Sequence, residues 1–390
     1  MAVNTMGIED AYALIAELHL QATGRKVLTP VSLVDFISVA QATLQNGFEP
    51  VLNAISQMVG RTLVAVRPYS RKFAGLEVSA ERWGGITRKL SFADRDPISN
   101  PSFTLTDGGT VDQFAIRKPA VLETRYVGSD LWLGQYTITT KQLELAFSGP
   151  QELANFMSGL MTHFENEREQ WLEEMARSSV ANFMGALNIL GTGHVIHLLT
   201  EYNTATGLTL TSTTVRQPSN FPAFARWCYA RIEMLSKMMS ERSQLFQQVI
   251  TGYPILRHTP VEDQRIFLDA DLMAHMDAEV LADTYHDNYL RRANTESVTY
   301  WQNISSPNEI SVTPVYIDAT GTIVSNAANQ AVDDIVGIMF DRDAIGYNIY
   351  QDTLERSPYN AKGQYYNLFN HVRIQYQNDV TEKGILLLLD

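Results

Sequence analysis

The chain has 390 residues, 45% of them hydrophobic and 19% charged, with a net charge of −13. That length exceeds one comfortable core, and the composition excludes wholesale disorder. The acidic balance argues against nucleic acid as a direct ligand, because such binding needs a basic surface that releases counterions.

No apolar run reaches the roughly eighteen residues of a membrane span. The start, MAVNTMGIEDAYALIAELHLQ, lacks a basic n-region and reads as a helix, not a signal peptide. The single cysteine, Cys228, fits a reducing compartment and a buried small hydrophobe within FARWCYARIEML. These features predict a soluble, intracellularly made protein.

Residues 7 to 60 are predicted helical in three pieces, divided at Thr23-Gly24, Thr29-Pro30 and Asn46-Gly47, because apolar residues recur three and four apart. The pattern then changes. From Arg61 to about residue 140, β-branched and aromatic runs are broken by Arg-Pro, Gly-Gly, Asn-Pro and Asp-Gly-Gly, which predicts a strand-rich excursion with an extended hairpin. Its apolar content is too thin for a core of its own, so it must pack on something else. Between Arg61 and Arg95 lie eight basic residues (Arg61, Arg67, Arg71, Lys72, Arg82, Arg88, Lys89 and Arg95) against three acids (Glu77, Glu81 and Asp94), a segment of +5 with −18 elsewhere. Such a segment is either a solvated basic loop or an arm that meets an acidic surface, including one on another copy.

Gly149 to Asn188 reads as one helix of some forty residues, about 60 Å at 1.5 Å per residue. Ser148 is the expected N-cap, with Gln151 completing a capping box and Pro150 in the first turn. Leu153, Phe156, Met157, Leu160, Met161 and Phe164 form one apolar stripe. Leu172, Ala176, Val180, Phe183 and Leu187 form a second, rotated from the first and separated by the polar block ENEREQ. The two halves therefore contact different things, or the helix bends.

Residues 194 to 220 are predicted strand-like or irregular, followed by a helix over FPAFARWCYARIEMLSKMMSERSQLF. QRIFLDADLMAHMDAEVLADTYH reads as a strand and then a helix, with Asp269 or Asp271 near the helix N-terminus. SVTYWQNI, EISVTPVYI and IVGIMFDRDAIGYNIY are strands. At the end, HVRIQYQ is expected to pair with GILLLL as a hairpin.

Nucleotide-binding and hydrolase motifs are absent from the sequence. His194 and His197 have a spacing open to metal ligation, but the setting is β-branched and apolar and no third ligand is signalled, so packed or polar-edge histidines explain them better. Asp271 and His275 fit an i,i+4 pair near a helix start, and Asp341 to Asp343 fit a turn with an internal ion pair. No nucleophile, base and orienting group assemble, so no enzyme, metal or cofactor is expected.

The order of parts resembles the major capsid proteins of tailed bacteriophages with the Hong Kong 97-type fold. The stretches that carry the resemblance are RTLVAVRPYSRKFAGLE with RWGGITRKL, YTITTKQLELAFSGPQELANFM, and YNLFNHVRIQYQNDVTEKGILLL, which are similar to capsid proteins of small short-tailed phages. The resemblance implies an α+β fold with a helical N-terminal arm (1–60), an extended E-loop and flanking strands (61–138), a P-domain spine helix (139–192), an A-domain (193–330) and a P-domain C-terminal β segment (331–390). It implies self-assembly through hexamers and pentamers into an icosahedral shell around double-stranded DNA, without sequence-specific binding and without a membrane. A virion location follows, with synthesis in the host bacterial cytoplasm. The cross-linking pair and cleaved scaffolding segment of the namesake have no counterpart here, so a separate scaffolding protein and a portal are the expected partners. Arg67, Arg71, Lys72, Trp83, Arg88 and Lys89 on the arm, and Glu165, Glu167, Glu169 and Glu173 on the helix, are the candidate inter-subunit contacts. An encapsulin-like nanocompartment shell and an unrelated metal-dependent enzyme using His194 and His197 are the alternatives.

Overall fold

The computed structural model describes residues 8–24, 26–27, 29–30, 32–45, 71–78, 86–100, 104–127, 129–275 and 295–390. The chain forms two interleaved units, one within 1–83, 129–175 and 348–375, the other within 84–128, 176–347 and 376–390. Elements are numbered in chain order.

In the first unit, α1 (Ile8–Thr23) and α2 (Leu33–Gln45) form where the apolar spacing requires them. Gly24, at φ 72°, ends α1, and the Ser32 hydroxyl accepts the Asp35 N–H at 3.2 Å to cap α2. A three-stranded sheet runs in the order β12 (Ile345–Arg356), β13 (Tyr365–Asn378), β3 (Asp130–Thr139). β13 and β3 are antiparallel, from Tyr365 opposite Thr139 to Ile374 opposite Asp130. Ile15, Leu18, Phe36, Ile138, Leu153 and Tyr366 share the core.

After α3 (Thr140–Ala146) comes the long helix α4 (Pro150–Leu190). Its start departs from expectation. The Gly149 carbonyl accepts the Leu153 N–H at 3.0 Å, so Gly149 is the N-cap and Pro150 the first helical residue. The Ser148 hydroxyl instead donates to the Leu145 carbonyl at 2.7 Å, closing α3.

The second unit is built on a five-stranded sheet ordered β4 (Val195–His197), β14 (Gly384–Leu388), β11 (Ile335–Asp341), β5 (Gln264–Asp269), β6 (Thr295–Val298). β11 is antiparallel to β14 and β5, while β4 and β6 join in parallel. On one face lie Ile266, Leu268, Met339, Ile385 and Leu387, packed with α5 (Leu198–Thr206) and α7 (Phe221–Ser240) through Leu198, Phe224, Cys228 and Leu235; the four-residue α6 (Ser212–Val215) lies between those helices. On the other, Phe183 of α4 meets Phe340 with ring centroids 6.3 Å apart. The second apolar stripe of α4 thus serves the sheet: Ala176, Val180, Phe183 and Leu187 are all buried.

Two expectations are corrected here. β14 does not pair with β13; it lies between β11 and β4. All five of its residues are buried, and a continuous apolar run of this kind needs neighbours on both faces and both edges, which a terminal hairpin cannot supply. Residues 198–206 form a helix, not strand or irregular chain. The threonine-rich LLTEYNTAT has weak helix propensity, and burial of Leu198, Leu199 and Tyr202 decides the outcome.

Three two-stranded ribbons complete the unit: β1 (Ile86–Phe92) with β2 (Val121–Val127), β7 (Ile310–Val312) with β10 (Gln330–Val332), and β8 (Tyr316–Ile317) with β9 (Ile323–Val324).

Candidate functional site: the acidic face of the long helix and the hairpin root

Within the first unit, Glu165, Glu169 and Glu173 are spaced four apart and so share one face of α4. All three are buried, whereas Glu167 is exposed. A carboxylate leaves water only for charged or hydrogen-bonding partners, and a basic segment of the same chain supplies them. Arg71 NH1 lies 3.7 Å from Glu169 and also pairs with Glu77. Lys72 begins a 3-10 turn, Lys72–Leu76, whose own N-cap gives no side-chain bond. The missing acceptor is Glu173, whose Oε2 receives the backbone N–H of Lys72 at 2.8 Å and of Phe73 at 3.4 Å. Orphan N–H groups at a helix start favour just such a carboxylate. Arg168 is 4.0 Å from Glu165 and bridges to Asp352 at 2.7 Å. Glu167 accepts from the Tyr136 hydroxyl and lies 3.1 Å from His163.

The β1–β2 hairpin separates the basic residues by face. Lys89 is opposite Thr124 and Thr87 opposite Tyr126, so Thr87, Lys89, Ser91, Leu122, Thr124 and Tyr126 point one way. This inner face meets the body of its own unit. Lys89 Nζ donates to Asp379 at 2.7 Å and to Glu382, the Tyr126 hydroxyl donates to Asp379 at 2.8 Å, and Arg257 joins Ser91 at 3.0 Å to Glu382 at 2.7 Å. Burial pulls the Lys89 ammonium down, but Asp379 and Glu382 outweigh it and hold it above its ordinary range. Burial likewise opposes ionisation of Asp379, and Lys89 overcomes it, so that carboxyl lies low. Glu382 is pushed up by burial despite Lys89 and Arg257.

The outer face carries Arg88, Leu90, Phe92, Val121, Glu123, Arg125 and Val127. Leu90, Phe92, Val121 and Val127 are 56%, 62%, 45% and 66% exposed. Hydrogen bonds from Arg125 and Arg88 hold the Glu123 carboxyl down to about 2. In the connecting loop, Phe114 and Ile116 are 85% and 80% exposed. The structure thus brings Arg71 and Lys72 to Glu169 and Glu173, turns Lys89 inward and leaves Arg88 outward. Arg67 and Trp83 lie outside the described residues.

The remaining candidates are tied into the fold. His194, next to β4, points its Nδ1 at the Gly384 carbonyl at 3.3 Å, and burial lowers its pKa. His197 pairs with Asp390 at 2.7 Å. Among the described residues no three His, Cys, Asp or Glu side chains are placed to hold a metal. Asp269 accepts the Leu272 N–H at 3.3 Å, capping the helix after β5. Asp271 and His275 lie 3.7 Å apart, and Asp341 closes its turn by accepting the Asp343 N–H at 2.9 Å. Cys228 is fully buried and its thiol is pushed up by burial. Asp379, Glu382, Tyr126 and Arg257 were not among the predicted site residues. The one available signal was Lys89 and Ser91 alternating as the polar side of a strand.

The sequence profile of the Phi29-like phage major capsid protein matches residues 20–386. In structure the chain is similar to one from the capsid of Staphylococcus phage Andhra, with a TM-score of 0.56 and 11% identity over 84% of this chain and 86% of that one. It is also similar to a chain from the structure of head fiber and inner core protein gp22 of native bacteriophage P68, with a TM-score of 0.58 and 12% identity over 82% and 85%. At such identities the likeness is one of fold. No curated protein matches.

Proposed function

Because this chain belongs to the Phi29-like phage major capsid proteins, we propose that its hairpin is the arm by which neighbouring copies hold one another in the shell. The chain is a capsid protein with a Hong Kong 97-like fold, and its role is structural. The observation that carries the proposal is the outer face of β1–β2, where Leu90, Phe92, Val121 and Val127 remain exposed in a single chain. A two-stranded ribbon with an uncovered apolar face is incomplete by itself. A second copy completes it, and many weak contacts repeated around a closed shell sum to a stable one.

In this reading Arg88, Phe114, Ile116 and the exposed Glu167 belong to contacts between copies, whereas Lys89 braces the arm from within its own unit and Arg71 and Lys72 fasten their segment to α4. The hairpin and its flanks are the E-loop, α4 the spine, residues 193–330 the A-domain and 331–390 the closing P-domain segment. Hexamers and pentamers of the chain, a separate scaffolding protein and a portal complete an icosahedral head around double-stranded DNA, assembled in the host cytoplasm. The acidic chain suits a wall that does not grip its contents.

Negative-stain microscopy and sedimentation of the purified chain, alone and with its scaffolding partner, test the reading. The double variant Leu90→Ser/Phe92→Ser is expected to keep the wild-type circular dichroism while its shell yield falls by about tenfold or more, because a small loss at each contact is repeated around the shell. Shells at wild-type yield from that variant would overturn the proposal.

A further inference from the structure

We propose that the cluster centred on Asp379 is a latch that sets the direction in which the β1–β2 hairpin leaves the body, and that opening it frees the hairpin without unfolding the sheet. The inner face of the hairpin offers mostly polar groups (Thr87, Lys89, Ser91, Thr124 and Tyr126 beside Leu122), so apolar packing does little to fix it. Attachment rests on directional bonds. One carboxylate oxygen, Asp379 Oδ2, receives both strands: Lys89 of β1 at 2.7 Å and Tyr126 of β2 at 2.8 Å.

The carboxylate is itself a rigid post. Its other oxygen, Oδ1, accepts the Thr381 N–H at 2.9 Å and the Thr381 hydroxyl at 2.6 Å. Its side chain is 0% exposed. The charges balance, with Lys89 and Arg257 against Asp379 and Glu382, which is the condition for keeping ions away from water.

A second point lies at the far end of β1. The Asp94 N–H donates to the Pro254 carbonyl at 2.8 Å, and its carboxylate accepts the Leu256 N–H at 2.7 Å and a bond from Arg242. Two anchors on one body define a direction, as one would not. Beyond Asp94 the described residues of the loop are exposed almost throughout, so the latch is what aims them. The charge pairing holds Lys89 high and Asp379 low, which keeps that pair ionised around neutrality, while burial raises Glu382. The Lys89–Asp379 bond is therefore opened by competition for its groups or by mutation.

The importance of that direction for assembly rests on the reading of the hairpin as the inter-copy arm; the latch itself does not. Spin labels at Val111→Cys in the loop and Lys237→Cys on α7 report the hairpin angle in the unassembled full chain, since the native Cys228 is buried. The expected result is a narrow distance distribution in the otherwise wild-type chain. In Lys89→Met/Tyr126→Phe the distribution broadens at least about twofold, while hydrogen exchange of the Ile338–Phe340 and Ile385–Leu387 amides is unchanged. Tyr126→Phe alone, which alters no charge, gives intermediate broadening and covers the case in which the double variant fails to fold. A distribution as narrow as wild type in both variants would overturn the latch. A freed hairpin with undiminished shell yield would uphold the latch and refute the assembly reading.

Discussion

Replacing Gly384 by alanine adds one methyl group at the start of β14, and the structure says where it goes. Gly384 is not among the residues of positive φ, so its backbone accepts alanine, which in an open strand would gain about 0.5–1 kcal/mol. Here the new carbon would lie 2.7 Å from Cε1 and Cζ of Phe183 and 3.3 Å from Leu187 Cδ2. Phe183 cannot retreat easily, being 0% exposed and seated against Phe340. Overpacking of this kind costs about 1–3 kcal/mol. Opening of the sheet should then speed hydrogen exchange at the Ile338–Phe340 and Ile385–Leu387 amides by roughly fivefold to 150-fold. Phe183→Leu alone costs about 1 kcal/mol by loss of volume. Combined with Gly384→Ala it should cost less than the sum, with a coupling of about 1 kcal/mol or more. Additive effects, or slower exchange in Gly384→Ala, would refute the packing of α4 on this strand.

Glu173→Gln keeps an acceptor for the Lys72 and Phe73 N–H groups but loses the charge, at about 1–2 kcal/mol, and Glu173→Ala costs more. Trypsin cleavage at Arg71 and Lys72 should accelerate in the order wild type, Gln, Ala; equal resistance in Ala would show that Glu173 does not hold the turn. His194 has its pKa depressed by burial below 6.5, so the unfolded chain takes up a proton first. Its contribution is intact above about pH 6.5 and is lost as pH falls through the lower folded value. Urea titrations from pH 8 to 5 should show this slope, and His194→Gln should flatten it.

Asp379, depressed from 3.8, stabilises above that pH and loses its contribution in stronger acid, while Lys89, raised from 10.5, stabilises below that pH and fails in stronger alkali. Between those limits the Lys89–Asp379 contribution should be flat with pH, and hairpin distances that change between pH 6 and 9 would contradict the assignment. Glu382, whose pKa is raised, favours the folded state as it protonates. With Tyr126 and Arg257 it completes the groups facing this site.

The sequence by itself determined what depends on neighbours along the chain. The apolar spacing from Leu153 to Leu187 specified a helix with two differently directed stripes; in the structure Leu153 to Leu172 belong to one unit and Ala176 to Leu187 to the other. Asp269 or Asp271 announced a helix start, of which the structure uses Asp269, and Asp341 to Asp343 a turn. The order of parts resembled a family to which the chain belongs. Only the tertiary structure decided which partners met. Lys89 and Asp379 are 290 positions apart, and no local period relates them. GILLL was legible as a buried strand, but its neighbours were chosen by the need to cover both faces, which took it to β11 and β4 and not to the adjacent β13. Glu169 and Glu173 read in the sequence as candidate contacts to another copy, because side-chain chemistry alone does not reveal which partner a carboxylate meets. A charge is buried wherever the fold brings it a partner, and that partner was Arg71 and a turn a hundred residues upstream.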